Sequence, residues 1–156
     1  MIDLTELVFE RATAKDAATL LDLERRVAVA RIYDARTDIG DVVREIEGNS
    51  LYFITYRGSV IASASYRLQD DDSVYIGNVA VDPAYRRQGV SRAAMMFIAG
   101  QNAHAARFEL VTHPDNDAAL RLYAALGYRN EVRHENYFGD GEPRLKLVRN
   151  LVPARS

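Results

Sequence analysis

The sequence predicts an α/β domain, a mixed twisted sheet of about seven strands flanked by about four helices. Three observations predict it. Short β-branched and aromatic runs alternate with segments whose apolar residues recur at helical spacing. The order of these elements is β-α-α-β-β-β-α-β-α-β-β, with no internal repeat, linker or low-complexity tract to divide it. The 156 residues, 48% of them hydrophobic, suffice for one core, so residues 1–156 are expected to form a single domain.

The elements follow in order. Leu7 to Arg11 reads as a short strand. Thr13-Ala-Lys-Asp16 resembles a capping box with Asp in the place of Glu or Gln. Behind it, Leu20, Leu23 and Val27 give Asp16 to Ala30 a helical stripe. A polar loop, Arg31 to Thr37, leads to a second helix near Ile39 to Glu47. Ser50 to Tyr56 and Val60 to Leu68 read as strands joined by a hairpin at Arg57-Gly58-Ser59. After an acidic turn, Val74 to Val81 is a strand that Asp82-Pro83 ends, because proline lacks the ladder donor. Val90 to Ala103 reads as a helix and Arg107 to Thr112 as a strand. Asn116 to Leu126 reads as a helix stopped by Gly127. Tyr128 to Tyr137 and Arg144 to Val148 read as a last pair of strands around Gly139-Asp140-Gly141.

Composition narrows the function. The formal net charge is −2, without the basic bias of a nucleic-acid binder. No apolar run approaches the roughly 18–20 residues that span a bilayer. Met1 to Glu10 is acidic and alternating, unlike a signal peptide, so the expected compartment is the cytoplasm. The chain has no cysteine, which excludes disulfides, thiolate metal sites and an acyl-cysteine intermediate. The three histidines, His104, His113 and His134, form no metal-binding pattern, and Gln69-Asp-Asp-Asp72 reads as a solvated turn. No metal is expected.

The segment Val79-Ala-Val-Asp-Pro-Ala-Tyr-Arg-Arg-Gln-Gly-Val-Ser91 has the makings of an anion cradle. A strand ends, a basic turn follows, and Gly89 opens a helix. Successive N–H groups in such a turn form a concave nest, and the helix start adds unpaired donors and the positive dipole end. Gly89 permits close approach of a phosphate, and Arg86 and Arg87 place positive charge near the mouth. The spacing is neither that of a Walker A loop nor that of a dinucleotide fingerprint.

Arg86-x-x-Gly89-x-Ser91 resembles the R/Q-x-x-G-x-G/A pyrophosphate loop of the GNAT acetyltransferases, with Ser91 in place of the usual glycine or alanine. Asn78-Val-Ala-Val-Asp-Pro83 is similar to that family's fourth strand. Asn116-Asp-Ala-Ala-Leu-Arg-Leu-Tyr-Ala-Ala-Leu-Gly-Tyr128 resembles its N-x-x-A-x-x-L-Y-x-x-L-G-F/Y segment. The resemblance implies acetyl-CoA as co-substrate, with the N–H groups of Arg87, Gln88, Gly89, Val90, Ser91 and Arg92 on the pyrophosphate. It implies that the main chain of Val79, Ala80 and Val81 holds the pantetheine arm, that Asn116 contacts it, and that Tyr123 sits near the sulfur. Gly77 is expected at a bulge that splays the strand from its neighbour. Asn116 also reads as a helix cap, and Tyr123 as a packing residue beside Leu122 and Leu126.

Without a cysteine, direct attack of an amine on the thioester is the economical route, with alignment as the main contribution. Tyr123, a phenol with an ordinary pKa near 10, suits proton donation to the departing thiolate. Related enzymes often carry Glu or His on the fifth strand, where this chain has Val111. Glu109 and His113 share that strand face by period two, and the sequence does not choose between them.

Glu135-Asn-Tyr-Phe-Gly-Asp-Gly-Glu142 resembles the Y-Y/F-x-D-G-E segment of N-terminal protein acetyltransferases, with Pro143-Arg144 departing from the usual Asp-Ala. It implies Tyr137 as an acceptor-binding residue, joined by Tyr33 on location alone. The expected acceptor is a protein or peptide α-amine. A small-molecule amine is the alternative, and a non-catalytic CoA-binding module a third reading.

Overall fold

The computed structural model describes residues 1–28 and 38–151. Tyr33 lies outside them. Seven strands form one sheet in the order β1-β2-β3-β4-β5-β7-β6. They are β1 (Leu7–Arg11), β2 (Ser50–Tyr56), β3 (Ser59–Leu68), β4 (Ser73–Val81), β5 (Arg107–Thr112), β6 (Arg129–His134) and β7 (Arg144–Asn150). Four helices complete the domain: α1 (Ala17–Val27), α2 (Ile39–Gly48), α3 (Val90–Gln101) and α4 (Asp117–Ala125). The pairing is antiparallel throughout except between β4 and β5. The expected mixed α/β sheet is therefore present.

Several boundaries fall inside the expected ones. Thr13 does form its reciprocal contact with Asp16, whose carboxylate accepts from the Thr13 N–H at 2.8 Å. It caps a single 3₁₀ turn, however, and α1 begins only at Ala17. At the other end Ala28 is already extended. β6 stops at His134, because Glu135 to Tyr137 enter the turn closed by Gly139, whose N–H donates to Asn136 O at 3.2 Å.

The apolar stripes dictate the layers. Leu20, Leu21, Val42 and Ile46 of α1 and α2 pack on Leu51 and Phe53 of β2, and Leu23 and Val27 pack on Ala80 of β4. On the opposite face, Val90, Ala94, Met95 and Ile98 of α3 pack on Ala64, Tyr66, Ile76, Phe108 and Leu110. Leu20, Leu23 and Ile98 are fully buried, and each such side chain contributes about 1.5–3 kcal/mol.

The feature that positions the site is a split in the sheet. β4 and β5 pair from Ser73 with Arg107 to Ile76 with Leu110. Beyond Ile76, among the described residues, no strand pairs with the β5-facing edge of β4. The cause lies one residue further on. Ser65 pairs with Asn78 and Tyr66 with Ile76, so Gly77 is an extra residue on β4. Such a bulge bends its strand, and glycine suits it because a Cβ would come within 3.1 Å of Ser65 Oγ.

Candidate active site

A cleft of about 760 Å³ opens through this split. Gly77, Asn78 and Val79 form its β4 edge, and Leu110 to His113 form its β5 edge. Asn116 and Tyr123 of the α4 segment reach it from one side, and Asp41, Arg44 and Glu45 of α2 from the other. Arg67, Tyr75, Tyr137, Phe138 and Arg144 also line it.

Among the residues singled out from sequence, Val79, Asn116, Tyr123 and Tyr137 meet in this one cleft. Ala80 and Val81 are buried just beyond it on the same strand. The loop that follows is shaped by its own backbone. Asp82 caps a 3₁₀ turn by accepting from the Ala84 N–H at 2.9 Å. Arg87 and Gly89 then adopt positive φ, 62° and 88°. The Ala93 N–H closes the first helical bond onto Gly89 O at 3.0 Å. Among the described residues, the N–H groups of Arg87 to Arg92 meet no protein acceptor. Such orphan donors at a helix start form an anion-binding concavity.

The side chains of the loop serve other ends. Gln88 Oε1 accepts from the Ile2 N–H at 2.8 Å. Arg86 donates to the Val27 carbonyl at 3.4 Å and so ties the loop to the end of α1. Gly89 lies under Leu4, whose Cδ1 would be 3.1 Å from a Cβ at that position.

Asn116 caps α4, its Oδ1 accepting from the Ala119 N–H at 3.4 Å, and the same residue lines the cleft. The Tyr123 ring packs at 6.0 Å from Tyr128. Burial pushes the Tyr123 phenol up to about 12, so it is a protonated donor at neutral pH. Burial likewise pushes Tyr75 up to about 12, assisted by its hydrogen bond with Tyr137.

The two carboxylate and imidazole candidates on β5 part company. Glu109 accepts from Gln69 Nε2 at 2.6 Å and pairs with Arg107 at 3.1 Å and Lys146 at 3.5 Å. It does not line the cleft. Burial works against the Lys146 ammonium, but Glu109 and Glu131 outweigh it and raise its pKa. His113 does line the cleft, buried to 1% exposure, with Nε2 at 3.0 Å from Glu142 Oε1.

Sequence reasoning missed one wall of the cleft. Asp41, Arg44, Arg67 and Tyr75 carry no motif, and only the layer arrangement brings α2 opposite the β6–β7 hairpin.

A family model described as the acetyltransferase (GNAT) family matches residues 17–128. The chain belongs to the GNAT acetyltransferase family. The ribosomal protein bS18-alanine N-acetyltransferase of Escherichia coli is 31% identical over 102 residues, 64% of this chain and 68% of that one. A crystal structure of the enzyme of that description from Escherichia coli superposes with a TM-score of 0.80 at 21% identity, covering 96% of this chain and 97% of that one. A NatC complex crystallised with Gag peptide and CoA superposes at 0.76 and 20% identity, covering 94% and 99%. At those identities the structures establish the fold. Within that fold the split sheet, the orphan N–H groups and Tyr123 are this chain's own.

Proposed function

We propose that this acetyltransferase moves the acetyl group of acetyl-CoA to the α-amine of a protein or peptide N-terminus. The observation that carries the proposal is the split sheet, whose cleft is lined by Asn116, Tyr123, Tyr137 and Arg144. One cleft reached from both sides of a sheet suits a reaction that aligns two substrates.

The residues fit a pyrophosphate-bearing donor. The N–H groups of Arg87 to Arg92, which meet no acceptor among the described residues, would hold its phosphates, and the main chain of Val79 to Val81 would pair with its amide-bearing arm. Asn116 would contact that arm, and Tyr123 would donate its proton to the leaving sulfur. A β4 N–H would donate to the oxygen on which negative charge develops.

The acceptor assignment draws on the hairpin segment Glu135 to Glu142 and on the name of the Escherichia coli relative. A peptide α-amine, with pKa of about 7.7–8.0, is partly neutral at pH 7 and asks less of a base than lysine at about 10.4. Incubation with acetyl-CoA and paired peptides, one with a free α-amine and one offering only lysine, tests it by mass spectrometry. The α-amine peptide is expected to react faster. Acetylation confined to lysine Nε or to small amines would overturn the peptide reading and favour a small-molecule amine acetyltransferase.

A further inference from the structure

The reaction requires an amine of its acceptor and leaves the groups around that amine to the walls of the cleft. Among the described residues, Arg44, Arg67 and Arg144 bring guanidinium groups to it. Two of them are already bound to carboxylates. Arg44 donates to Asp41 on the same helix. Arg144 is buried, donates to Asp140 Oδ2 at 2.8 Å and lies over the Phe138 ring. Arg67 is exposed, and its guanidinium carbon lies 4.4 Å from the centroid of the Tyr75 ring. Among the described residues it pairs with no carboxylate. A guanidinium over a ring face keeps its charge and its donors.

The fold places Arg67 on the α2 side of the sheet. On β3, Ala64 and Tyr66 pack into the core under α3, so Arg67, one residue on, faces the other way by the strand's period of two. Tyr75 stands directly opposite it on β4. The Tyr75 hydroxyl is hydrogen-bonded with Tyr137, and the Tyr137 ring meets Phe138 at 4.8 Å. A row of three rings thus runs from Arg67 to Arg144 along one wall of the cleft.

We propose that Arg67 selects acceptors that carry a carboxylate close to the reacting amine, namely an Asp or Glu at the second or third residue of a peptide N-terminus. This deepens the proposed function and rests on it. Tyr75 precedes the bulge residue Gly77 by two positions, about 7 Å along a strand. An extended peptide whose amine lies in the split covers that distance within its first three residues. The planar guanidinium offers paired donors that match a carboxylate.

The carboxylates of the cleft serve the other end of such an acceptor. Asp41, paired with Arg44, lines the α2 wall. Glu45 lines it too, buried to 9% exposure, with its main-chain carbonyl accepting from Asn49 Nδ2 at 2.9 Å. Their sign draws an ammonium rather than a carboxylate, so neither competes with Arg67. The cleft therefore suits an acceptor that carries both signs.

The experiment compares kcat/KM for paired peptides that differ only in Asp against Asn at the second or third residue. Wild type and Arg67 variants are measured beside a thermal melt and an acetyl-CoA titration. In wild type the acidic peptide is expected to react about 5-fold better, the difference lying in KM, as for an ion pair in a partly solvated cleft. Added salt should erase most of that preference. Arg67→Met covers the Tyr75 ring without the charge. It should remove the preference while the Asn peptide, the melt and acetyl-CoA affinity stay as in wild type. Arg67→Lys should keep part of the preference, and Arg67→Glu should turn it toward peptides with Lys at the same position. No preference in wild type, a preference that survives in Arg67→Met, or an equal loss on both peptides would overturn the proposal and leave Arg67 a cover for Tyr75. A wild type that acetylates small amines but no peptide sinks the peptide reading instead. An ω-amino acid against its amide then decides the charge preference by the same ratio. A wild type that transfers no acetyl group sinks both.

Discussion

The two walls of the cleft are built by different means. The side we assign to the donor relies on main chain: a β4 edge and a run of N–H groups that meet no partner strand or acceptor among the described residues, and a left-handed turn at Arg87 and Gly89. The side we assign to the acceptor relies on side chains gathered from α2, β3, β4 and the β6–β7 hairpin, held by ion pairs and aromatic contacts. Main-chain donors are pre-organised by the fold and indifferent to most substitutions. A wall of side chains can be re-lettered residue by residue. The difference teaches that one scaffold can keep its donor while changing its acceptor.

The largest expected effect lies at the seam between the walls. Tyr123→Phe should keep the fold and CoA affinity while kcat falls by about 10²–10⁴-fold. Steady-state kinetics, a melt and a CoA titration check it; wild-type kcat in the variant would make Tyr123 a packing residue. The same hydroxyl predicts a pH behaviour. Because burial raises its pKa to about 12, the donor is fully protonated through pH 10, and wild-type kcat should show no loss from Tyr123 ionisation between pH 8 and 10. The sign agrees with stability. A phenol whose folded pKa is raised stabilises the fold below the unfolded value near 10, and that contribution fades as pH climbs toward 12.

The next effect isolates the donor wall. Gly89→Val forces a β-branched residue into φ of 88° and crowds Leu4. CoA affinity measured by calorimetry should fall on the order of 10-fold or more, about 1.4 kcal/mol per decade. Unchanged affinity would show that the loop does not hold the phosphates.

The smallest effect probes the acceptor wall alone. Arg144 is buried, stacks over Phe138 at 5.1 Å and donates to Asp140 and to the Pro143 carbonyl. The Glu142 N–H and the Arg144 guanidinium hold the Asp140 carboxyl below the usual carboxylate range. Arg144→Met should loosen the hairpin and raise the acceptor KM about 5-fold, by about 1 kcal/mol, while CoA affinity stays constant. A change in CoA affinity would break the separation of the two walls.

The donor wall was legible in the sequence because its chemistry is local. Thirteen consecutive residues around Gly89 contain the strand end, the turn and the helix start, and Asn116 to Tyr128 contain cap, tyrosine and stop. Gly77 could be expected at a bulge because a glycine inside a strand pattern has few other reasons. Of the wall assigned to the acceptor, Tyr137 was singled out from the sequence, and the structure places it in the cleft. Asp41 and Arg67 read as ordinary surface charges, since nothing in their neighbourhood distinguishes them.

The sequence by itself determined the alternation of strands and helices and the basic turn that opens a helix at Gly89, because hydrophobic period and backbone conformation are set within a few residues. The tertiary structure alone decided that α2 faces the hairpin and that His113 meets Glu142. Those outcomes depend on which strands become neighbours. That is fixed by the packing of whole layers, and no local pattern encodes it.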